Sequence, residues 1–150
     1  DGDVWLPDSP VTMLDWYCAV AYAQWEASQR GQSWRLPLSL EWEKAARGVD
    51  GRIYPWGDGF DPAVCKVGDS REGRSRPEAI GAFPTDCSVY GARDMGGSVR
   101  EWCGDDTYDG NAARRPVRGG GWPPGGALAC LARCRHPARD NALRTCRSSQ

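Results

Sequence analysis

The sequence predicts an α+β domain in which two short helices precede short antiparallel strands and much of the chain is coil. Three observations point there. Both helix-like stretches lie before residue 50 and the strand candidates all follow, the order of an α+β domain. Nineteen Gly and 11 Pro are spread without a period through 150 residues, which implies many turns. Eight Trp against two Phe make the bulky apolar volume mostly indole, and each buried indole N–H needs an acceptor. The length suits one domain with a real core.

The first helix is read in LDWYCAVAYAQWEASQRGQ. Asp15 can cap it, Trp16, Val20, Ala23 and Ala27 recur at helical spacing, and Gly31 supplies the stop. The second is read in LPLSLEWEKAARG, with Ser39 as cap, Trp42 and Ala45 or Ala46 facing inward, and Gly48 as the end. Both are short enough to depend on tertiary packing. From Gly48 to about Pro84 the chain is rich in turn residues (DGRIYPWGDGFDP, SREGRSRPE). It is expected to be ordered but irregular, pinned by Trp56 and Phe60, with a mobile tip near residues 70 to 78. Strands are expected at Val99–Cys103, Pro116–Arg118, Cys130–Arg135 and Leu143–Arg147.

Composition excludes several functions. A net charge of −1 leaves no footprint for nucleic acid or an anionic membrane. No apolar run approaches the ~20 residues of a transmembrane helix. DGDVWLPDSP does not read as a signal peptide, and a cytoplasmic location is expected. Seven Cys is an odd number with no CxxC pair, so buried free thiols in a reducing compartment are preferred to a zinc ribbon or a disulfide frame. The single histidine, His136, would have to serve any Ser–His–acid triad, yet no G-x-S-x-G elbow is present. Nor is there a phosphate-binding G-x-x-x-x-G-K-[ST] loop.

Two stretches carry possible chemistry. In RDMGGSVREW, Asp94 and Glu101 are hard oxygen ligands, and the glycines between them let carbonyls turn inward. Carboxylates with carbonyls suit Ca²⁺, although such clusters also occur in solvated turns. In RGGGWPPGGALACLARCRHP, Cys130 and Cys134 stand four residues apart. On a regular strand they would be ~13 Å apart, beyond the ~7 Å a disulfide allows. Both would then face one side, as core residues do.

The ordered motifs PVTMLDWYCAVAYAQW, WRLPLSLEWEKAARG, YPWGD, IGAFP, VYGARDMGGSVREWC, VRGGGW and P-x7-T-C-R resemble the formylglycine-generating (sulfatase-modifying) enzyme family. That resemblance implies a coil-rich relative of the C-type lectin fold. It covers nearly the whole chain, which is expected to be the greater, C-terminal part of one such domain in a larger polypeptide, without the family's N-terminal segment. The family's oxygen-dependent enzymes oxidise a substrate cysteine to formylglycine with copper held by two cysteines. Laid on this sequence from Arg118, those positions fall on Pro124 and Ala129, which have no donor for a metal that favours thiolates. Cys130 lies one residue past the second position and Cys134 further on, so both are weak catalytic candidates and copper is not expected. Ergothioneine-type sulfoxide synthases share the fold but need a histidine cluster.

The same resemblance places a structural Ca²⁺ on Asp94, Gly97, Val99 and Glu101, while Ala63 replaces the Asn of a second calcium site. Other departures are Ser98 for Asn, Arg100 for Trp, and Leu38 for the Thr helix cap, the last worth ~1 kcal/mol. The family is similar to variable proteins of diversity-generating retroelements and to modules fused to bacterial kinases or proteases. The implied role is a non-catalytic binding module whose surface runs from Trp122 to Asn141, with Arg133, Arg135, His136, Arg139 and Asp140 as polar contacts. Its partner would be a protein or peptide. A thiol oxidase and a purely structural domain are the alternatives.

Overall fold

The computed structural model describes residues 7–71, 76–105, 114–122 and 134–137, the last stretch in its backbone pairing alone. The order is α1 (Trp16–Arg30), α2 (Ser39–Arg47), β1 (Glu101–Trp102), β2 (Arg114–Arg118) and β3 (Cys134–Pro137). The strands form one antiparallel sheet in the order β1-β2-β3. The α+β, coil-rich character read from the sequence is what is observed.

Helix α1 begins and ends as its sequence dictates. The Asp15 carboxylate accepts the Cys18 N–H at 2.7 Å, and Gly31 closes the helix at φ 61°. Trp16, Val20, Ala23 and Ala27 do share the inner face, but all four are only partly buried. The outer face carries Tyr17, Tyr22 and Trp25, each about half exposed or more.

Helix α2 corrects one expectation. Its N-cap is Leu38, the cap position that the family resemblance implies, and Ser39 is the first helical residue. Tertiary partners claim both polar groups of Ser39: its N–H donates to the Asp105 carboxylate, and its hydroxyl accepts from Arg118 Nε at 2.7 Å. Glu41 does half of a capping box instead, accepting the Leu38 N–H at 2.8 Å. The Arg35 guanidinium, bonded through two nitrogens to Glu41, and then that Leu38 N–H hold the Glu41 carboxyl down to about 2. A depressed carboxylate stabilises the fold above its unfolded value and loses that contribution as pH falls toward the folded one. NMR titration of Glu41 should therefore find it ionised well below pH 4, and Arg35→Ala should raise its midpoint toward the ordinary range, with the Leu38 N–H still holding it somewhat down.

Trp42 and Ala46, on the inner face of α2, are 2% and 0% exposed and form the core with Met95 and Cys103. The sheet packs beside them, and one proline sets its shape. Pro116 lies in central strand β2, where a missing N–H interrupts a ladder. Its carbonyl accepts the Cys103 N–H at 3.0 Å, but it returns no donor to the Cys103 carbonyl. The Trp16 indole N–H supplies that donor at 2.9 Å. Strand β1 accordingly stops at Trp102, shorter than the expected Val99–Cys103, and Val99 stays in the preceding loop. A second indole, Trp102, donates to the Leu14 carbonyl at 3.0 Å, and Arg115 lies 4.3 Å over the Trp16 ring. The start of α1 is thus stapled to the sheet. Trp16→Phe should lower the unfolding free energy by about 1–2 kcal/mol in urea titration, because the Cys103 carbonyl loses its partner.

The remaining strands also differ from expectation. β2 starts at Arg114, two residues before the expected Pro116. β3 starts at Cys134, with Val117 opposite Cys134 and Arg114 opposite Pro137. Residues 130–133, the expected strand Leu143–Arg147 and part of the expected tip at 70–78 lie outside the described residues. Of the two residues expected to pin the turn-rich segment, Trp56 packs on Gly96, whereas Phe60 is 51% exposed and meets only the tilted Tyr54 ring among the described aromatic contacts. No helix among the described residues is long and apolar enough to cross a membrane.

Candidate functional site

The stretch DMGGSVRE, residues 94–101, forms a loop running into β1 at Glu101 and held by both backbone and side-chain groups. Asp94 and Ser98 adopt left-handed conformations, φ 59° and 65°, which a residue with a Cβ adopts only at some cost. Among residues with a Cβ, Asn and Asp tolerate this region best, which suits Asp94 better than Ser98. Hydrogen bonds compensate. Asp94 N–H donates to the Asp86 carbonyl at 3.0 Å, Ser98 N–H to the Lys66 carbonyl at 2.8 Å, and Trp122 N–H to the Ser98 carbonyl at 3.2 Å.

Close backbone approach explains the glycines. A Cβ on Gly96 would stand 2.4 Å from the Trp56 ring, and one on Gly97 would stand 2.4 Å from the Lys66 carbonyl oxygen. The RGGGW turn crosses this loop: a Cβ on Gly120 would stand 2.5 Å from the Gly96 oxygen. At Gly119, φ 81°, it would lie 3.3 Å from the Val99 oxygen. The two glycine motifs are therefore the two halves of one interlocked contact.

Acidic groups gather here. Asp94 Oδ2 accepts the Gly81 N–H at 2.7 Å, and Glu101, partly buried on β1, accepts from the Trp42 indole. Asp86 is 1% exposed, and both its oxygens lie 3.0 Å from Gly96 N. Burial chiefly, and then the charges of Asp94 and Glu101, push the Asp86 carboxyl up to about 6. Burial and the Asp94 charge likewise raise Glu101, against the lowering effect of the Trp42 indole. Two nearby cations pair with other acids: Lys66 with Glu78 at 3.2 Å and Arg118 with Glu43 at 2.7 Å.

Of the predicted quartet, Asp94, Gly97 and Val99 lie in this loop and Glu101 opens β1. Among the described residues no three His, Cys, Asp or Glu side chains are grouped as metal ligands. A cation here would draw on two carboxylates together with main-chain carbonyls, and mutually repelling, partly desolvated carboxylates are a donor set that suits a hard cation. Sequence reading missed Asp86. It stands eight residues before Asp94 and belongs to no spacing pattern, so only the fold brings it to the loop. Ala63, in place of the second site's Asn, offers no side-chain oxygen; its N–H donates to Asp61 at 2.8 Å.

The predicted recognition surface is only partly described. Trp122 is partly buried beside the loop, and Arg135 and His136 pair along β3 with Pro116 and Arg115. Arg133, Arg139, Asp140, Asn141, Pro124, Ala129 and Cys130 lie outside the described residues, and Cys134 is placed only by its pairing with Val117. Of the described thiols, Cys65 and Cys103 are buried, Cys87 is intermediate and Cys18 is exposed, all unbridged. Burial first, and then Asp105, push the Cys103 thiol up to about 12, as suits a residue packed in the core.

The chain is similar to several known proteins. It is 36% identical over 122 residues to the inactive C-alpha-formylglycine-generating enzyme 2 of Bos taurus, an alignment covering 75% of this chain and 38% of that protein. It is 36% identical over 111 residues to the formylglycine-generating enzyme of Thermomonospora curvata, covering 66% of this chain and 34% of that one. The chain thus spans less than half the length of either relative. Among solved structures, PvdO from Pseudomonas aeruginosa superposes with a TM-score of 0.77 at 22% identity, over 93% of this chain and 60% of that one. Treponema denticola variable protein 1 superposes with a TM-score of 0.70 at 19% identity, over 89% and 68%. These two likenesses concern the fold alone. The family described as Sulfatase-modifying factor enzyme 1-like domain matches residues 3–150, and the chain belongs to that family.

Proposed function

We propose that this domain is a non-catalytic ligand-binding or protein-interaction module on a formylglycine-generating-type scaffold. The observation that carries the reading is the pair Pro124 and Ala129. They stand where enzymes of the family place copper-binding cysteines, and neither has a donor atom, so the residues present do not fit copper. The similarity to a relative named as an inactive formylglycine-generating enzyme supports the same conclusion. The surface from Trp122 to Asn141, through Arg133, Arg135, His136, Arg139 and Asp140, would meet a protein or peptide partner. The competing reading, oxidation of a substrate cysteine, draws on the similarity to a relative named formylglycine-generating enzyme. Titration of the reduced chain with Cu(I) separates the two. No submicromolar one-to-one site is expected; such a site, lost in Cys130→Ser, would overturn the module reading.

The loop of Asp94, Gly97, Val99 and Glu101 is proposed as a structural Ca²⁺ site, the ion neutralising the two carboxylates and holding the turn on which Trp122 rests. Ligand-linked stabilisation follows RT ln(1 + [L]/Kd), about 2.7 kcal/mol at a hundredfold excess over Kd. Calcium added to chelator-treated protein should therefore raise Tm by several degrees. Asp94→Ala and Glu101→Gln should each abolish the shift, and an unchanged wild-type Tm at millimolar calcium would refute the site.

A further inference from the structure

We propose that Asp86 is the positioning residue of this cation loop, an inference that rests on the calcium reading above. No spacing rule or family ligand set marks it, yet it grips the loop at two points. Its carbonyl accepts the Asp94 N–H at 3.0 Å, and both its carboxylate oxygens lie 3.0 Å from Gly96 N. Asp94 carries one proposed ligand side chain, and Gly96 immediately precedes the proposed carbonyl ligand Gly97. Asp86 is itself fixed, 1% exposed, with its own N–H donated to the Phe83 carbonyl at 3.0 Å. The contact leaves no slack: a Cβ on Gly96 would stand 3.1 Å from Asp86 Oδ1 on one side and 2.4 Å from the Trp56 ring on the other.

The consequence is geometric. Asp94 sits at φ 59°, a conformation that persists only where the surroundings over-determine it. Hydrogen bonds donated by the Asp94 and Gly96 N–H groups to the carbonyl and buried carboxylate of Asp86 supply that constraint. They orient the Gly96 peptide and leave Asp94 Oδ2 to the Gly81 N–H at 2.7 Å. Asp86 would thus act through its neighbours, fixing ligand orientation without binding the ion. Partners of this kind typically change metal affinity about 10- to 100-fold when removed.

The test is calorimetric titration of the chain with Ca²⁺, with thermal unfolding measured in chelator alongside. Asp86→Asn keeps a buried acceptor of the same shape and should bind within a few-fold of wild type. Asp86→Ala should bind at least tenfold more weakly at a temperature where its circular dichroism remains native. Should Asp86→Ala fail to fold, Asp86→Glu, which moves the carboxylate outward by one methylene, should show the tenfold loss instead. Rescue by Asn with loss in Ala or Glu is not expected of a residue that merely stabilises the fold, because stability in chelator and affinity would then fall together. Equal affinity in wild type and Asp86→Ala, or in wild type and Asp86→Glu if Ala does not fold, overturns the positioning role and leaves the calcium site standing. Loss in Asp86→Asn equal to that in Ala also overturns it, since charge and not the hydrogen bonds would then matter. A wild-type chain that binds no calcium overturns both.

Discussion

Gly97→Ala is expected to destabilise the domain by about 3 kcal/mol, the upper range for overpacking a closed site, lowering Tm by roughly 6–12 °C for a chain of this size. The new methyl would lie 2.4 Å from the Lys66 carbonyl oxygen, 2.9 Å from its carbon and 3.0 Å from its nitrogen. These are backbone atoms, and that carbonyl is already held by the Ser98 N–H at 2.8 Å, so no side-chain rotation relieves the clash. Gly59→Ala is the control: like Gly97 it lies outside the left-handed region, but it has nothing within 4 Å of the added carbon, so little loss is expected. Equal losses in the two variants, by urea titration, would mean that close approach is not what the glycine provides.

Glu43→Ala should have a comparable or larger effect. The Arg118 side chain has no exposed surface, with Nη2 at 2.7 Å from Glu43 and Nε at 2.7 Å from the Ser39 hydroxyl. Deleting the carboxylate takes the counter-charge of this pair from a guanidinium with no route to water, a change that typically costs about 3–5 kcal/mol. Glu43 also pairs with Arg47 at 2.7 Å and is 28% exposed, so the reverse deletion, Arg118→Met, should be the milder of the two. The double variant Glu43→Leu/Arg118→Met should recover much of the loss, because paired apolar replacement avoids burying the guanidinium without this carboxylate. A double variant as unstable as Glu43→Ala would show that the pair's contribution is packing and not charge compensation.

Local rules made much of this domain readable. Asp15 and Gly31 bound α1 because capping and left-handed closure involve only near neighbours. Trp42 and Ala46 were legible as core because helical spacing puts them on one face. Ser39 was misjudged as a cap because Asp105 and Arg118, 66 and 79 residues away, take its polar groups. The early end of β1 was equally invisible: it depends on Pro116 facing Cys103 across the sheet, with an indole from α1 replacing the missing donor.

The ordered motifs of the sequence pointed to the family, and its caps and short-range periodicity set the α+β order and both helix spans to within a residue. Only the tertiary structure decided that the glycines of DMGGSV and RGGGW fill opposite sides of one contact, and that Asp86 grips the loop bearing Asp94. Those facts depend on which groups the fold packs together, Asp86 against Asp94 and Gly96 and the Lys66 backbone against Gly97 and Ser98, a property of packing that no local pattern encodes.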